Sequence, residues 1–441
     1  MKPSKTKDSS MKRRKKSRKS SNNVDRISEL PEALIQKILC LLPTKAAIAT
    51  SVLSKQWRSH WKLMPELKFD ALDHELDIES INKSLFAHKA LVLQRLHLKL
   101  RLTGRSELTV DFGILIGIAL TRNVRELVLK VHSSRGLFKF PKILYDCEKL
   151  ETLKLMLRLV LDVPSTVSLR SLRTLHLEGV DFKDEDSVLN LLSGCPKLQD
   201  LVVCREASRN VSTFRIVVPS LQRLTIHNGD GGSYHQCCFV INTPSLKFLK
   251  IEGTNTFESS LIVNLPELME VNITNVDEIS DEKLLMVLSS VKRLSMALSP
   301  LKFKFPIGII FEHLVYLELY TYKKAWWDLL PLLLHSSPKL QVLKLIDDIG
   351  WKHNDGGIGE WNQPENVPEC LLSHLETFMW KGYKWKQERE REVAKYILKH
   401  TDHLKRVIFS SKDISYRDRL KVVNDLKSVV RDTNSCKFQY I

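Results

Sequence analysis

The chain has 441 residues and a mass of 50.9 kDa, with 43% apolar and 27% charged residues and only 16 glycines and 16 prolines. That composition supplies a packed core and excludes a wholly disordered, collagen-like or low-complexity chain. The net charge is +17, but residues 1–23 hold ten basic side chains against one acid, Asp8, and the other 418 residues carry only +8.

A body so mildly basic lacks the gathered basic face of a dedicated nucleic-acid binder, so nucleic acid is not the expected partner. No apolar run approaches the ~18 residues of a membrane helix, and no membrane partner is expected. The eight cysteines, Cys40, Cys147, Cys195, Cys204, Cys237, Cys238, Cys370 and Cys436, form no C-x-x-C pair and do not cluster with histidines. They read as free thiols in a reducing compartment, with no metal site and no cofactor.

Residues 1–23 are a Ser/Lys/Arg tail whose only apolar side chains are Met1 and Met11. It buries too little to offset its ordering entropy and is expected to be disordered. Lys12, Arg13, Arg14, Lys15 and Lys16 read as a nuclear-import signal, the competing reading being a solvated arm. The nucleus is the expected location, with the cytoplasm as the other compartment.

Residues 24–70 read as three short helices. Ser28 or Glu29 precedes Leu30-Pro31, and proline suits the first position of a helix. Leu34, Ile35, Ile38, Leu39 and Leu42 then recur at helical spacing, and Pro43 stops the helix. Thr44 is placed to cap a second helix running toward Val52-Leu53. Ser54 is placed to cap a third, with Trp57 and Trp61 on one face. The apolar side chains exceed what so small a unit hides internally. Spacing alone leaves two readings, a partner docked on the surplus stripe or the stripe packed on the repeats behind it.

The stretch Asp25-Arg26-Ile27-Ser28-Glu29-Leu30-Pro31, then Ile38-Leu39 and Leu42-Pro43, then Ala49-Thr50-Ser51-Val52-Leu53-Ser54-Lys55 and Trp57, resembles a plant-type F-box. The resemblance implies docking on a Skp-type adaptor, and through it on a cullin. The implied contact residues are Leu30, Pro31, Leu34, Ile35, Ile38, Leu39, Leu42, Pro43, Val52, Leu53 and Trp57.

From about residue 71 to 355 the template L-x-x-L-x-L, with Ile, Val or Met allowed, fits eleven times, from Leu93/Leu96/Leu98 to Leu340/Leu343/Leu345. The steps are 22–26 residues after Val124. That period is the signature of leucine-rich repeats, each giving one short parallel strand and a variable return. One unit cannot hide its leucines, so the units stack. Prolines 196, 219, 244 and 338 sit just before strands, where they are harmless. Residues 181–192 read as a return helix with Val188, Leu189 and Leu192 inward, and Asn228–Gln236 as a loop. Residues between the template leucines face the concave, partner-binding side. They are basic in the first units, as at His97, Lys99, Lys130 and Lys154, and mixed later. Each alone reads as a solvated strand residue.

Residues 356–441 keep two such cores, Leu375/Phe378/Trp380 and Leu404/Val407/Phe409. A helix is expected over 387–400, another through Leu420, Val423, Leu426 and Val430, and a last strand over Lys437–Ile441. A solenoid end needs such a cap. The run Val367-Pro368-Glu369-Cys370-Leu371-Leu372, with Leu375-Glu376, Trp380, Gly382-Tyr383, Tyr396-Ile397-Leu398 and Leu404-Lys405, resembles the FBD domain.

No nucleophile elbow, zinc-protease, phosphate-loop or EF-hand motif appears. Gly356-Gly357-Ile358-Gly359 and the group His227, Asp230, Ser233, His235 and Cys237 read as loops. The fold class is therefore α/β: a three-helix F-box, a leucine-rich-repeat solenoid with parallel strands on its concave face, and a C-terminal α/β cap. The resemblance to the plant F-box/FBD/leucine-rich-repeat family implies a non-catalytic receptor subunit of an SCF-type ubiquitin ligase. Its partners would be the Skp-type adaptor, a cullin and an unknown target protein. The alternatives are a non-ligase scaffold, a small-molecule co-receptor holding its ligand on the concave face, and a nucleic-acid binder acting through the tail.

Overall fold

The computed structural model describes residues 27–441 apart from 28, 56, 72–77, 103–106, 134–136, 139, 158–159, 206–209, 229–237, 254–260, 277–281, 299–307, 322–325, 348–360, 362, 412–413 and 431–435. The basic tail with Lys12–Lys16, residues Asp25, Arg26 and Ser28, the 229–236 loop and the Gly356–Gly359 cluster lie outside the described residues. The chain divides into two compact units, one ending at Met64 and one running from Pro65 to Ile441.

The first unit holds α1 (Glu32–Cys40), α2 (Thr44–Ala49), a single 3-10 turn over Thr50–Val52, and α3 (Trp57–His60), which tightens into a last turn over Trp61–Leu63. Pro31 and Pro43 are themselves the residues ahead of α1 and α2, at φ/ψ of −52°/139° and −55°/144°. Proline's fixed φ suits this extended cap, and its carbonyl still accepts from the first turn. Pro31 O takes Leu34 N at 2.8 Å, and Pro43 O takes Ala47 N at 3.0 Å. Each helix thus starts one residue away from the sequence expectation: Glu32 rather than Pro31 opens α1, and Thr44 is the buried first residue of α2, not its cap. Ser54 does stand at the start of α3, with Trp57 N donating to its Oγ across a long 3.4 Å.

In the second unit fifteen strands form one all-parallel sheet in strict chain order. It opens with Glu66–Ala71, then Arg95–Leu102, Glu126–Ser133, Thr152–Leu157 and Thr174–Glu178, and ends with Thr377–Lys381, Arg406–Ser410 and Lys437–Tyr440. The second and third residues of every expected core are on a strand and the first lies just ahead of it, and register sets leucine against leucine, as in Leu201 beside Leu224 beside Leu249. The strand Glu66–Ala71 is one more unit, with Leu67 and Phe69 buried in the template positions. Spacing had grouped most of it with the helices, because the next unit comes only after the helix Ile78–Ala87.

Two backbone devices repeat along the stack. The first template residue closes a turn onto the carbonyl three residues back, as in Leu198 N to Cys195 O at 3.1 Å, Leu246 N to Thr243 O at 3.0 Å and Leu340 N to Ser337 O at 3.2 Å. Pro196, Pro244 and Pro338 occupy the second position of these turns, which proline's φ favours. The next two N–H groups then donate to one carbonyl of the preceding unit. Gln222 and Arg223 share Gln199 O, and the pattern continues to Lys405 and Arg406 sharing Glu376 O.

The return side is irregular. Residues 137–138, 160–161 and 181–182 make one three-stranded parallel sheet, and Thr213–Val217, Cys238–Asn242 and Leu261–Asn264 another. Helices fill other returns. One of these, Glu185–Ser193, is capped by Asp184, whose carboxylate accepts Ser187 N at 2.8 Å. The residues ahead of it, Asp181 and Phe182, are extended, so the helix begins later than expected. Leu191 is buried with Val188 and Leu192, while Leu189 is only half-buried.

The C-terminal segment continues the same sheet without a break. Its helices are Glu369–Ser373, Glu388–His400 and Tyr416–Lys427. In the last of these Val422 and Leu426 are buried, Val423 half-buried and Leu420 exposed; it ends at Lys427, short of the expected Val430, which is half-buried beyond it. Phe378, Trp380, Tyr383 and Phe409 make a buried ring cluster, with Tyr383 and Phe409 centroids 4.9 Å apart. No helix among the described residues is long and apolar enough to cross a membrane.

Candidate docking surfaces

The helical unit sorts the residues implied by the F-box resemblance into two groups. Ile35 and Leu39, both 1% exposed, and Trp57 are interior, together with Ala47, Trp61 and Met64. Trp57 meets the His60 ring edge-on at 5.6 Å. These side chains hold the trio together and present no surface as it stands. The reason is helical geometry: Ile35 and Leu39, four apart, share the inward side of α1.

Pro31, Leu34, Ile38, Leu42, Pro43, Val52 and Leu53 are exposed, and Leu30 is half-buried. Val52 is 87% and Leu53 65% exposed. Sequence reading passed over Leu41, at 84% exposure, and Ile27, also exposed. The signal for Leu41 was present, since Leu34, Ile38 and Leu41 recur at four and then three residues. So many bare aliphatic side chains on so small a unit mark an interaction surface.

The outward face of the large sheet carries polar side chains in rows across the strands. Along one row charges answer each other. Arg95 meets Glu66 at 2.6 Å and Glu126 at 3.2 Å, Arg223 meets Asp200 at 3.4 Å, and Arg293 meets Glu270 at 3.6 Å. Arg223 also lies over the Phe248 ring at 4.3 Å, and Arg293 over Tyr316 at 3.9 Å. Glu318 accepts from Lys344 Nζ at 2.7 Å, Tyr316 OH at 2.9 Å and Ser295 Oγ at 3.0 Å. Burial would push its carboxyl up, but these donors outweigh it and hold it below the usual range.

A second row sets Glu178, Cys204, His227 and Glu252 side by side on successive strands. His227 Nδ1 lies 3.0 Å from Glu252 Oε2, so thiol, imidazole and carboxylate stand in the order of a nucleophilic triad. The electrostatics oppose that chemistry. Burial, then Glu178 and Glu252, push the Cys204 thiol up to about 11, so it stays protonated. Burial also lowers His227, despite Glu252 beside it. Of the sequence group around His227, only His227 itself is described.

No group of metal-binding side chains is found among the described residues. A void of about 10 Å³ is enclosed by apolar side chains including Phe140, Leu153, Leu155 and Leu161. It has room for about one water, but its lining is almost wholly apolar, Tyr145 being the one residue in it with a polar group. Cys147, Cys195, Cys204 and Cys370 are free thiols.

The architecture is that of a leucine-rich-repeat protein preceded by a separate helical unit and closed by a strand–helix extension of the same sheet. Comparison with known families gives the same order of parts. The F-box domain matches residues 27–69, the repeats of the FBD-associated F-box protein At5g56370 match 113–275, and the FBD domain matches 363–409. None of these families is a catalytic domain.

The chain is 64% identical over 418 residues to the putative FBD-associated F-box protein At1g55030 of Arabidopsis thaliana, covering 95% of this chain and 98% of that one. It is 51% identical to the putative F-box/FBD/LRR-repeat protein At4g13965 (97% and 99% covered) and 49% identical to the F-box/FBD/LRR-repeat protein At3g52680 (94% and 93% covered), both also of Arabidopsis thaliana. The chain belongs to the plant F-box/FBD/LRR-repeat family.

Proposed function

We propose that the protein is the substrate-recognition subunit of an SCF-type ubiquitin ligase. In this reading the helical unit docks on a Skp-type adaptor, the adaptor joins it to a cullin, and the outward strand face holds a target protein. One observation carries the docking half: α1 and the turn after α2 leave Leu34, Ile38, Leu41, Val52 and Leu53 bare while Ile35, Leu39 and Trp57 fill the interior. Burying an exposed Leu or Ile is worth ~1.5–3 kcal/mol, so a partner covering these five has ample driving force.

The chain's part in the chemistry is positional. Holding a target lysine close to a ubiquitin-charged carrier replaces a bimolecular encounter with an intramolecular one. The run Lys12–Lys16 supports work in the nucleus, where a short basic segment is a ligand for import receptors.

Calorimetric titration of the full chain with a purified Skp-type adaptor tests the docking reading directly. A one-to-one complex at micromolar affinity or tighter is expected, and it should vanish when residues 24–64 are removed, which leaves the strand Glu66–Ala71 in place. Failure to bind at tens of micromolar would overturn it.

A further inference from the structure

Most charges along the outward strand face are answered by a neighbouring strand, as they are on Arg95–Leu102, but Lys130 and Lys154 on the next two strands, Glu126–Ser133 and Thr152–Leu157, break the pattern. Register sets Lys99 directly across from Lys130, and Val128 across from Lys154, so Lys154 lies diagonal to Lys130. Like charges directly opposite weaken a sheet. Lys99 has a counter-ion, Asp70 at 2.8 Å. Lys130 and Lys154 are half-buried and meet no carboxylate within ion-pair distance among the described residues. A half-buried cation without a counter-ion is held at a cost, which an incoming anion removes.

We propose that this three-strand patch is the docking point for a short acidic segment of the target protein. The inference rests on the reading that the strand face carries the target, and adds the chemistry of what is recognised there. The size of the patch argues for a peptide. Across the row the positions are Asp70, Lys99, Lys130, Met156 and Glu178. With strands ~4.8 Å apart, the cationic part spans only ~10 Å, and a carboxylate stands on either side. Two or three carboxylates fit between those flanks, with Met156 offering an apolar contact beside them. A nucleic-acid strand, with a phosphate at every nucleotide, would run onto Asp70 or Glu178.

The test uses the full chain and a fluorescein-labelled dodecapeptide carrying four Glu separated by Gly and Ser. Its controls are the same peptide with Gln for Glu and a single-stranded twelve-nucleotide DNA. Anisotropy should show the Glu peptide bound at least tenfold more weakly by Lys130→Glu/Lys154→Glu than by the native chain. The Gln peptide should not bind, and the native affinity should fall steeply between 50 and 300 mM salt. Lys130→Gln/Lys154→Gln provides the same comparison if charge reversal lowers the melting temperature.

Zero-length carbodiimide coupling, read by mass spectrometry, locates the carboxylates, since the basic tail also attracts acidic peptides. Coupling at Lys99, Lys130 and Lys154 is expected. Equal binding by both double variants, coupling confined to lysines 2–19, or DNA binding that is lost in the same variants would each overturn the proposal. Coupling at Lys250 and Lys344 would sink this patch but leave the strand face as the target side. Coupling on the return helices would sink both. Adaptor binding, measured on the same samples, reads the helical unit separately.

Discussion

Gly382 sits at a φ of +78° directly against the main chain of Asp347, so close that a Cβ on Gly382 would overlap the Asp347 carbonyl oxygen. Asp347 N in turn donates to Lys381 O at 2.8 Å, and Lys384 Nζ meets the Asp347 carboxylate at 2.5 Å. This lock joins the last strand of the repeat region, Val342–Ile346, to the first strand of the FBD segment, Thr377–Lys381. Gly382→Ala should destabilise the full chain by about 2 kcal/mol or more, through the positive φ and the clash. Gly113→Ala, in the helix Glu107–Leu120 with nothing near the new Cβ, should be neutral or stabilising by up to about 1 kcal/mol. Urea unfolding of both variants checks the contrast, and equal behaviour would remove the lock.

Cutting the chain at residue 356 should cause aggregation. The strand Val342–Ile346 would lose every main-chain partner on its Thr377–Lys381 side, and Leu343 and Leu345 would lose the packing of Phe378 and Trp380. Bare strand edges pair with other chains. Size-exclusion chromatography of the 1–356 fragment decides the matter, and a soluble monomer with native melting behaviour would show the C-terminal segment to be dispensable.

Replacing Ile38 and Leu41 together with Ser should abolish adaptor capture at unchanged melting temperature, because both side chains are exposed. Leu39→Ala should instead loosen the helical unit by about 2–5 kcal/mol, the cost of a large-to-small change at a buried site. Leu30→Ala/Pro31→Ala should weaken capture too. Pull-downs paired with helical circular dichroism separate loss of surface from loss of fold.

Glu390 is 3% exposed, and its carboxylate accepts Lys384 N at 2.7 Å. Burial raises its acid to about 7; the Lys384 hydrogen bond and charge pull the other way, and Asp347 adds to the rise. The folded chain therefore keeps a proton that the unfolded chain has already lost between about pH 4.5 and 7. The stability this contributes is complete below the unfolded value and is lost as pH rises through 7, on the order of 2–3 kcal/mol. Glu390→Gln, always neutral, should lack this component. Melting temperatures of both chains at pH 5 and pH 8 measure it, and parallel curves would contradict it.

Deleting residues 1–23 should move a fluorescent fusion out of the nucleus and leave its melting temperature unchanged, since the tail is +9 and has no core to contribute. Persistent nuclear enrichment would point to import with a partner.

The repeat period determined the body of the strand stack, from Glu126–Ser133 to Val342–Ile346. One strand per 22–26 residues, with leucines at fixed offsets, has only one way to bury them, and the fifteen strands run in chain order. The helical unit and the FBD strands were legible for the same reason, a local period tied to burial. Three matters were decided only by tertiary packing. Ile35 and Leu39 share a helix with Leu34 and Ile38, and which pair faces inward depends on where α2 and α3 pack, so the implied adaptor contacts separated into interior and surface only in three dimensions. Glu66–Ala71 became a strand because Arg95–Leu102 pairs with it, a contact across 29 residues that no local period records. Lys99 and Lys130 lie 31 residues apart in the chain, and only the parallel register sets them side by side.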